Sequence, residues 1–345
     1  MNPVVRFPEF FMPFPARPLN AGMEQARQRM WAWIDHFGLG PSEASHQRLS
    51  QLRLEVITAR YYPFVEPSAL PLLALHMAWA WCVDEQFDDG PAGRDPRWCL
   101  TALRGLRDAV LGGSHIPGNP LEAAAADFHR RLGEVHSPRW VRDYTDVTTR
   151  WLWSYYAESL DRATDRHQPL PDYRRHRQVT SGEHMFFMLA EHGAGRELPD
   201  SVSRLPAYIA LQDAAAEHMG LLNDIVSLPK EEPIGDVHNA VTLVSRHSRV
   251  PAAEAAEAVN DMLTDCVHRM LAAEDELPGQ LDAVGVTERT RADALAMVEA
   301  IKAHTRGNFD WHFEVSRYAG PGQLDEAGSP AYVADVLGGA RTGAD

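Results

Sequence analysis

Asn223, Ser227 and Glu231 stand four residues apart in the stretch LLNDIVSLPKEE. Around them Leu221, Leu222, Ile225, Val226 and Leu228 recur at helical spacing, which predicts a helix with a buried apolar stripe. Steps of i, i+4 and i+8 then set an amide, a hydroxyl and a carboxylate along one line of that helix. Asn and Ser are mediocre helix formers in a segment that Ala or Leu would serve better, so the row of oxygens calls for another explanation.

A second cluster makes the first interpretable. Residues 70–83, LPLLALHMAWAWCV, are too uniformly apolar for a helix with one face in water and predict a buried central helix. It runs into DEQFDDG, where Asp84 and Asp88 are i, i+4 neighbours and so are Glu85 and Asp89. Like charges repel along both lines, at the helix end where the macrodipole disfavours negative charge. Either that end emerges into solvent or a cation offsets the charge. Taken together, Asp84, Asp88, Asn223, Ser227 and Glu231 are hard oxygen donors that suit Mg²⁺ or Mn²⁺ rather than zinc or copper. Mg²⁺ keeps waters and binds through substrate phosphates, and cations stand nearby in sequence: Arg177, Lys230 and the Arg317-Tyr318 pair. An acidic chain that gathers basic residues around a metal site is suited to an anion such as diphosphate.

The elements that would carry these residues are all helical. The periodicity predicts helices over 21–37, 43–61, 68–88, 96–111, 120–135, 138–165, 171–191, 201–231, 236–248, 251–274 and 287–318, punctuated by Pro and Gly. No alternating strand and no internal repeat is evident. Within the expected 201–231 helix, Pro229 removes the N–H that would bond the Ile225 carbonyl, which predicts a kink or an end just before Glu231. The organisation expected is a Pro-rich arm over 1–20, one all-α domain over 21–318 and a loose tail over 319–345, with a short helix near Ala331 to Leu337.

Bulk properties exclude other classes. With 48 acidic against 33 basic residues the formal net charge is −15, which argues against sequence-independent nucleic-acid binding and lends no support to an anionic membrane partner. Cys82, Cys99 and Cys266 are odd in number and never in a CxxC, so neither a disulfide framework nor a zinc site is expected. The prolines interrupt any signal-peptide core, and no run of 18 apolar residues exists to span a membrane. A cytoplasmic protein without stable membrane insertion is expected, with a homodimer an allowed assembly.

On these residues the sequence resembles the bacterial class I terpene synthases, of the single-domain, pentalenene synthase-like sesquiterpene cyclase type. The aspartate-rich motif is matched by Asp84-Glu85-Gln86-Phe87-Asp88, and the second metal motif by Asn223-Asp224-x-x-Ser227-x-x-x-Glu231. Arg177 falls at the family's diphosphate-sensing arginine, and Thr180, Ser181 and Gly182 at the adjoining linker and effector positions. Arg317-Tyr318 matches a C-terminal Arg-Tyr pair. The likeness runs from about residue 20 to 318; Glu85 departs from it, standing where a second aspartate is usual.

The resemblance implies an α-bundle with an active-site cavity between its helices. It implies three Mg²⁺ ions, with Mn²⁺ a substitute, held by Asp84 and Asp88 on one side and Asn223, Ser227 and Glu231 on the other. It further implies that Arg177, Lys230, Arg317 and Tyr318 grip the diphosphate of a prenyl substrate, and that Tyr61, Trp81 and Trp311 line the cavity and stabilise cations. Phe186, Phe187 and Trp79 read as core packing, and His312 as a structural histidine. The expected reaction is cyclisation of farnesyl diphosphate; geranylgeranyl diphosphate is the alternative substrate. A chain-elongating prenyltransferase would carry a second aspartate-rich motif in place of Asn223/Ser227/Glu231. A His-Asp phosphohydrolase needs a His-Asp dipeptide, and none of the 16 histidines is followed by Asp.

Overall fold

The computed structural model describes residues 7–112, 115–231, 237–314 and 336–337. Among them the secondary structure is helical throughout, with no strand. The chain runs through α1 (Met23–Phe37), α2 (Glu43–Leu52), α3 (Leu54–Tyr61) and α4 (Leu70–Asp88), then a 3-10 turn at Pro91–Gly93. It continues with α5 (Pro96–Leu111), α6 (Pro120–Val135), α7 (Pro138–Thr164), α8 (Leu170–Thr180) and α9 (Glu183–Gly193). Last come α10 (Asp200–Ser203), α11 (Pro206–Glu231), α12 (Ala240–Ser248), α13 (Ala252–Val284) and α14 (Glu288–Glu314).

α4 is the central helix that its composition predicts. Leu70, Leu73, Ala74, Met77, Ala78, Trp79, Cys82 and Val83 are all buried, and α1, α3, α6, α7 and α9 pack around it. Even its polar groups are accommodated inside: Trp79 Nε1 donates to the Leu121 carbonyl at 3.1 Å, as a buried indole requires. α11 lies along α13 and also touches α8, α9, α12 and α14, so both metal-motif helices are framework elements.

Several predicted helices are divided or extended, each for a local reason. The expected 43–61 helix breaks at Arg53, whose φ of 51° caps α2 and starts α3; no Gly marks the break in the sequence. The expected 171–191 helix breaks at Ser181-Gly182, where Gly182 adopts φ 73°. The expected 201–231 helix is split because Pro206 opens α11, a position proline favours since its missing N–H would have no partner there. Conversely, α13 passes 274 and the acidic run after it, because Leu277 and Leu281 continue the buried stripe on either side of Pro278. Of the kink or end expected at Pro229, the end does not occur: α11 remains helical through Glu231. The 315–318 end of the last expected helix and all of the tail but Val336 and Leu337 lie outside the described residues.

α3 and α14 come especially close, and the N-terminal segment clasps them. Phe7 and Phe10 set their ring edges against Phe313 and Phe309 of α14, at 5.6 and 5.7 Å. Arg306 Nη1 donates to the Phe14 carbonyl at 2.8 Å, and Asn260 Nδ2 to that of Glu9 at 2.9 Å. A Cβ on Gly307 would stand 2.6 Å from the Arg60 carbonyl oxygen, which is backbone and cannot swing aside. Gly307→Ala is therefore expected to cost about 1–3 kcal/mol as the helices are forced apart, read as a lower urea midpoint at unchanged m-value.

Candidate active site

One cavity lies between α3, α4, α7, α11, α14 and the α8–α9 break. α4 contributes Met77, Ala80, Trp81, Asp84 and Asp88, one continuous helical face that turns from apolar to acidic along its length. The four carboxylates of the acidic cluster therefore part company. Asp84 and Asp88 line the cavity, whereas Glu85 and Asp89 face the other way and share Arg48 of α2, at 3.1 and 2.9 Å. Glu85 is 1% exposed, so this is a largely buried ion pair, and two of the four carboxylates that sequence reasoning gave to solvent or a metal share one arginine. Of the cavity-facing pair, Asp84 Oδ1 accepts from the Tyr155 hydroxyl at 2.9 Å. Asp88 Oδ1 accepts from Arg162 Nη2 at 3.2 Å.

The opposite wall is α11. Asn223 lines the cavity, and its Oδ1 accepts from Arg177 Nη2 at 2.9 Å. The same nitrogen lies 3.1 Å from Asp224 Oδ1, while Arg177 Nε donates to the Gly220 carbonyl and Nη1 to Thr180 Oγ1. Burial opposes the charge on Arg177, but Asp224 together with Tyr173, Glu158 and Glu231 outweighs that cost and holds the guanidinium's pKa well above its ordinary value. Asp224 is itself fixed by the Tyr173 hydroxyl at 2.8 Å and the Ala240 amide at 3.0 Å. Sequence reading named Asp224 within the second motif but gave it no role; its burial beside an invariably charged arginine is visible only in three dimensions. The room for Arg177 comes from Gly220, where a Cβ would stand 2.6 Å from Arg177 Cγ.

Thr180, Ser181 and Gly182 also line the cavity, at the break between α8 and α9. At the apolar end Trp81 and Trp311 stand 5.5 Å apart at 55°, with Trp311 Nε1 donating to the Leu52 carbonyl at 3.1 Å. Tyr61 lines the wall beside them, as do Phe186 and Trp151. Phe186 thus faces the cavity rather than serving core packing alone, and Trp151 was missed because helix periodicity gives a face, not what lies opposite it. Phe187 and Trp79 are buried away from the cavity, as core residues. His312 also reaches the cavity, Nδ1 on the Asn308 carbonyl at 2.9 Å and Nε2 3.4 Å from Asn223 Nδ2.

The donors are compatible with a hard divalent cation. Ser227 Oγ is buried, 2% exposed, and no hydrogen-bond partner reaches it among the described residues, so it is an oxygen in want of a proton-free or cationic neighbour. Glu231 is oriented one turn further on by Asn239 Nδ2 at 2.8 Å. Among the described residues no three His, Cys, Asp or Glu side chains converge on one point. Asp84 and Asp88 stand on one wall of the cavity and Asn223 on the facing one, while Ser227 and Glu231 lie further along α11 and do not line it; donors so spread suit Mg²⁺, which fills its octahedron with water and substrate oxygens. The Lys230 side chain, Arg317 and Tyr318 lie outside the described residues.

Residues 76–269 match the family model described as terpene synthase family 2, C-terminal metal binding, and the chain belongs to this family of metal-binding terpene synthases. It is similar to pristinol synthase of Streptomyces pristinaespiralis, 29% identical over 99% of this chain and 90% of that one. Pentalenene synthase of Streptomyces avermitilis is likewise 29% identical, over 93% and 98% of the two chains. Among solved structures, hedycaryol synthase in complex with HEPES superposes with a TM-score of 0.81 at 26% identity, covering 90% of this chain and 99% of that one.

The division of the acidic cluster gives a ranking. Asp84→Asn is expected to lower turnover by orders of magnitude with little loss of stability, since it faces the cavity. Glu85→Gln should do the reverse, lowering stability by about 3 kcal/mol by stranding part of the charge on Arg48, with far less effect on turnover per folded molecule. Diphosphate release and urea denaturation on both variants separate the two. Gly220→Ala should also cut turnover, about tenfold or more, by displacing Arg177 while circular dichroism stays native.

Proposed function

We propose that this protein is a Mg²⁺-dependent sesquiterpene cyclase that ionises farnesyl diphosphate, cyclises the resulting cation and releases diphosphate. One observation carries the reading: oxygen donors and a buried arginine occupy one end of a cavity whose other end is aromatic. A prenyl diphosphate has that same polarity, an anionic head and a hydrocarbon chain. The names of the relatives support the substrate, one of them being a (−)-β-caryophyllene synthase described as cyclising (2E,6E)-farnesyl diphosphate.

Asp84 and Asp88 from α4 and Asn223, Ser227 and Glu231 from α11 would hold up to three Mg²⁺, with Mn²⁺ able to replace them. Bound there, the metal supplies Lewis-acid stabilisation of the departing diphosphate. Arg177 presents a fixed positive charge at the same end, and Lys230, Arg317 and Tyr318 are proposed to join it. A diphosphate oxygen that takes Arg177 away from Asn223 would release that amide to the metal and pull on Thr180 at the helix break. Thr180, Ser181 and Gly182 are thus the residues through which head-group binding would reach the hydrocarbon end. Tyr61, Trp81 and Trp311 offer π faces to the cation, each worth about 0.5–2 kcal/mol, and none is a strong nucleophile. Among the described residues no helix is long and apolar enough to cross a membrane.

Incubation with geranyl, farnesyl and geranylgeranyl diphosphates, with Mg²⁺ and with chelator, followed by gas chromatography–mass spectrometry, tests this reading. Cyclic C15 products that vanish with chelator are expected; preferred C20 products would move the substrate to geranylgeranyl diphosphate, and longer linear diphosphates would make it a prenyltransferase. Asn223→Ala should nearly abolish turnover with native helix content. Trp311→Leu should shift the product profile several-fold toward acyclic and monocyclic products, by loss of about 1 kcal/mol of π stabilisation in a late cation. Arg177→Lys, which keeps charge but loses the planar fork, should lower turnover with the profile largely preserved.

A further inference from the structure

At the apolar end of the cavity, polar groups that ionisation of the diphosphate does not use form a connected set. Tyr61 donates its hydroxyl to Glu183 Oε1 at 3.2 Å, and His304 Nε2 reaches Glu183 Oε2 at 2.9 Å. Asn308 Nδ2 donates to the Tyr61 oxygen at 2.7 Å. Tyr61, Glu183 and Asn308 all line the cavity, and Glu183 and Asn308 are each 5% exposed. A buried carboxylate in the wall of a hydrocarbon-binding cavity is costly unless it serves something. Burial, with Glu183 adding to it, raises the Tyr61 phenol well above its ordinary pKa, so it remains an O–H donor. Burial lowers that of His304, whose neutral ring donates one N–H.

The set is one bond short of complete. Asn308 Oδ1 is buried and no donor reaches it among the described residues. The Tyr61 oxygen, accepting once from Asn308, has a second lone pair. An amide carbonyl and a phenol oxygen side by side offer two acceptors to one molecule with two O–H donors. That molecule is water, and its own lone pairs are then left toward the cavity. Asn308 precedes His312 by one turn of α14, about 6 Å deeper than the residue that meets Asn223, so this position is removed from the diphosphate end.

We propose that Asn308 and Tyr61 hold a water in the closed cavity as the nucleophile that ends the cascade, with Glu183 as the final proton acceptor, so that the product is a terpene alcohol. The inference rests on the cyclase reading above. A lone pair of the water oxygen forms the C–O bond to the cationic carbon. The oxonium then passes a proton to the Tyr61 oxygen as the Tyr61 hydroxyl proton moves to the Glu183 carboxylate. The net reaction is prenyl diphosphate plus water giving alcohol, diphosphate and a proton, which Glu183 returns to solvent when the cavity reopens. Asn308 and Tyr61 touch the reacting water; His304 is a positioning residue that fixes the Glu183 carboxylate.

The test is incubation of the full-length protein with farnesyl diphosphate and Mg²⁺ in heavy-oxygen water, with total diphosphate release measured in parallel. Wild type should give a cyclic alcohol bearing the heavy isotope. Tyr61→Phe and Asn308→Leu, each checked for native circular dichroism, should lower the ratio of alcohol to hydrocarbon about fivefold or more, as expected for loss of one hydrogen bond holding the water. Unlabelled hydrocarbon as the whole wild-type product, whatever the variants do, overturns the proposal and leaves the cyclase reading standing. Labelled alcohol at an unchanged ratio in both folded variants also overturns it, since the water would then come from elsewhere. Absence of diphosphate release from farnesyl, geranyl and geranylgeranyl diphosphates alike sinks both.

Discussion

The contact on which the site depends is the buried pair Arg177–Asp224. Two opposite charges taken out of water must be tightly matched, and here each is held by further hydrogen bonds: Asp224 by Tyr173 and Ala240, Arg177 by Gly220 and Thr180. Three elements are thereby tied to α11: the end of α8, the start of α12 and the helix break at Gly182. The guanidinium also rests on Asn223, so the residue that would receive a phosphate and one that would receive a metal are already in contact. Gly220 is the geometric condition for all of this, because any side chain there would occupy the place of Arg177.

A second consequence concerns how charge is managed around the central helix. The acidic end of α4 divides its four carboxylates between two tasks by helical phase alone. Residues 85 and 89 are bound to Arg48 and fasten α2 to α4. Residues 84 and 88 are left on the cavity side, where Asp84 meets the Tyr155 hydroxyl and Asp88 the Arg162 guanidinium. A glutamate at 85 is no loss for such a role, since the longer side chain only has to meet an arginine.

Much of this was legible in the sequence, and the rest was hidden for identifiable reasons. The all-helical class, the buried character of 70–83 and the shared face of Asn223 and Ser227 follow from period and composition, which are local properties. The helix break at Arg53 was not legible, because Arg carries no signal for one; periodicity ran through Ser181-Gly182 as well, although the likeness to the family marked Gly182 as an effector position with a permissive backbone. The stop expected after residue 274 failed because burial of Leu277 and Leu281 outweighs a proline whose missing hydrogen bond costs one link in a long helix. Partnerships across elements, such as Arg48 with Glu85, Asp224 with Arg177, or Phe186 and Trp151 with the cavity, depend on which helix faces which. Spacing within one helix does not contain that information.

The cavity's aromatic end is made by helices from opposite ends of the chain. Tyr61 and Asn308, hydrogen-bonded to each other, are 247 residues apart, and Phe7 and Phe10 close over Phe313 and Phe309. On a ribosome adding about 5–20 residues per second, roughly 12 to 50 s separate the emergence of the two walls. Throughout that interval the phenylalanines of the N-terminal segment lack the helix that covers them. A product truncated before α14 would lack one wall of the cavity.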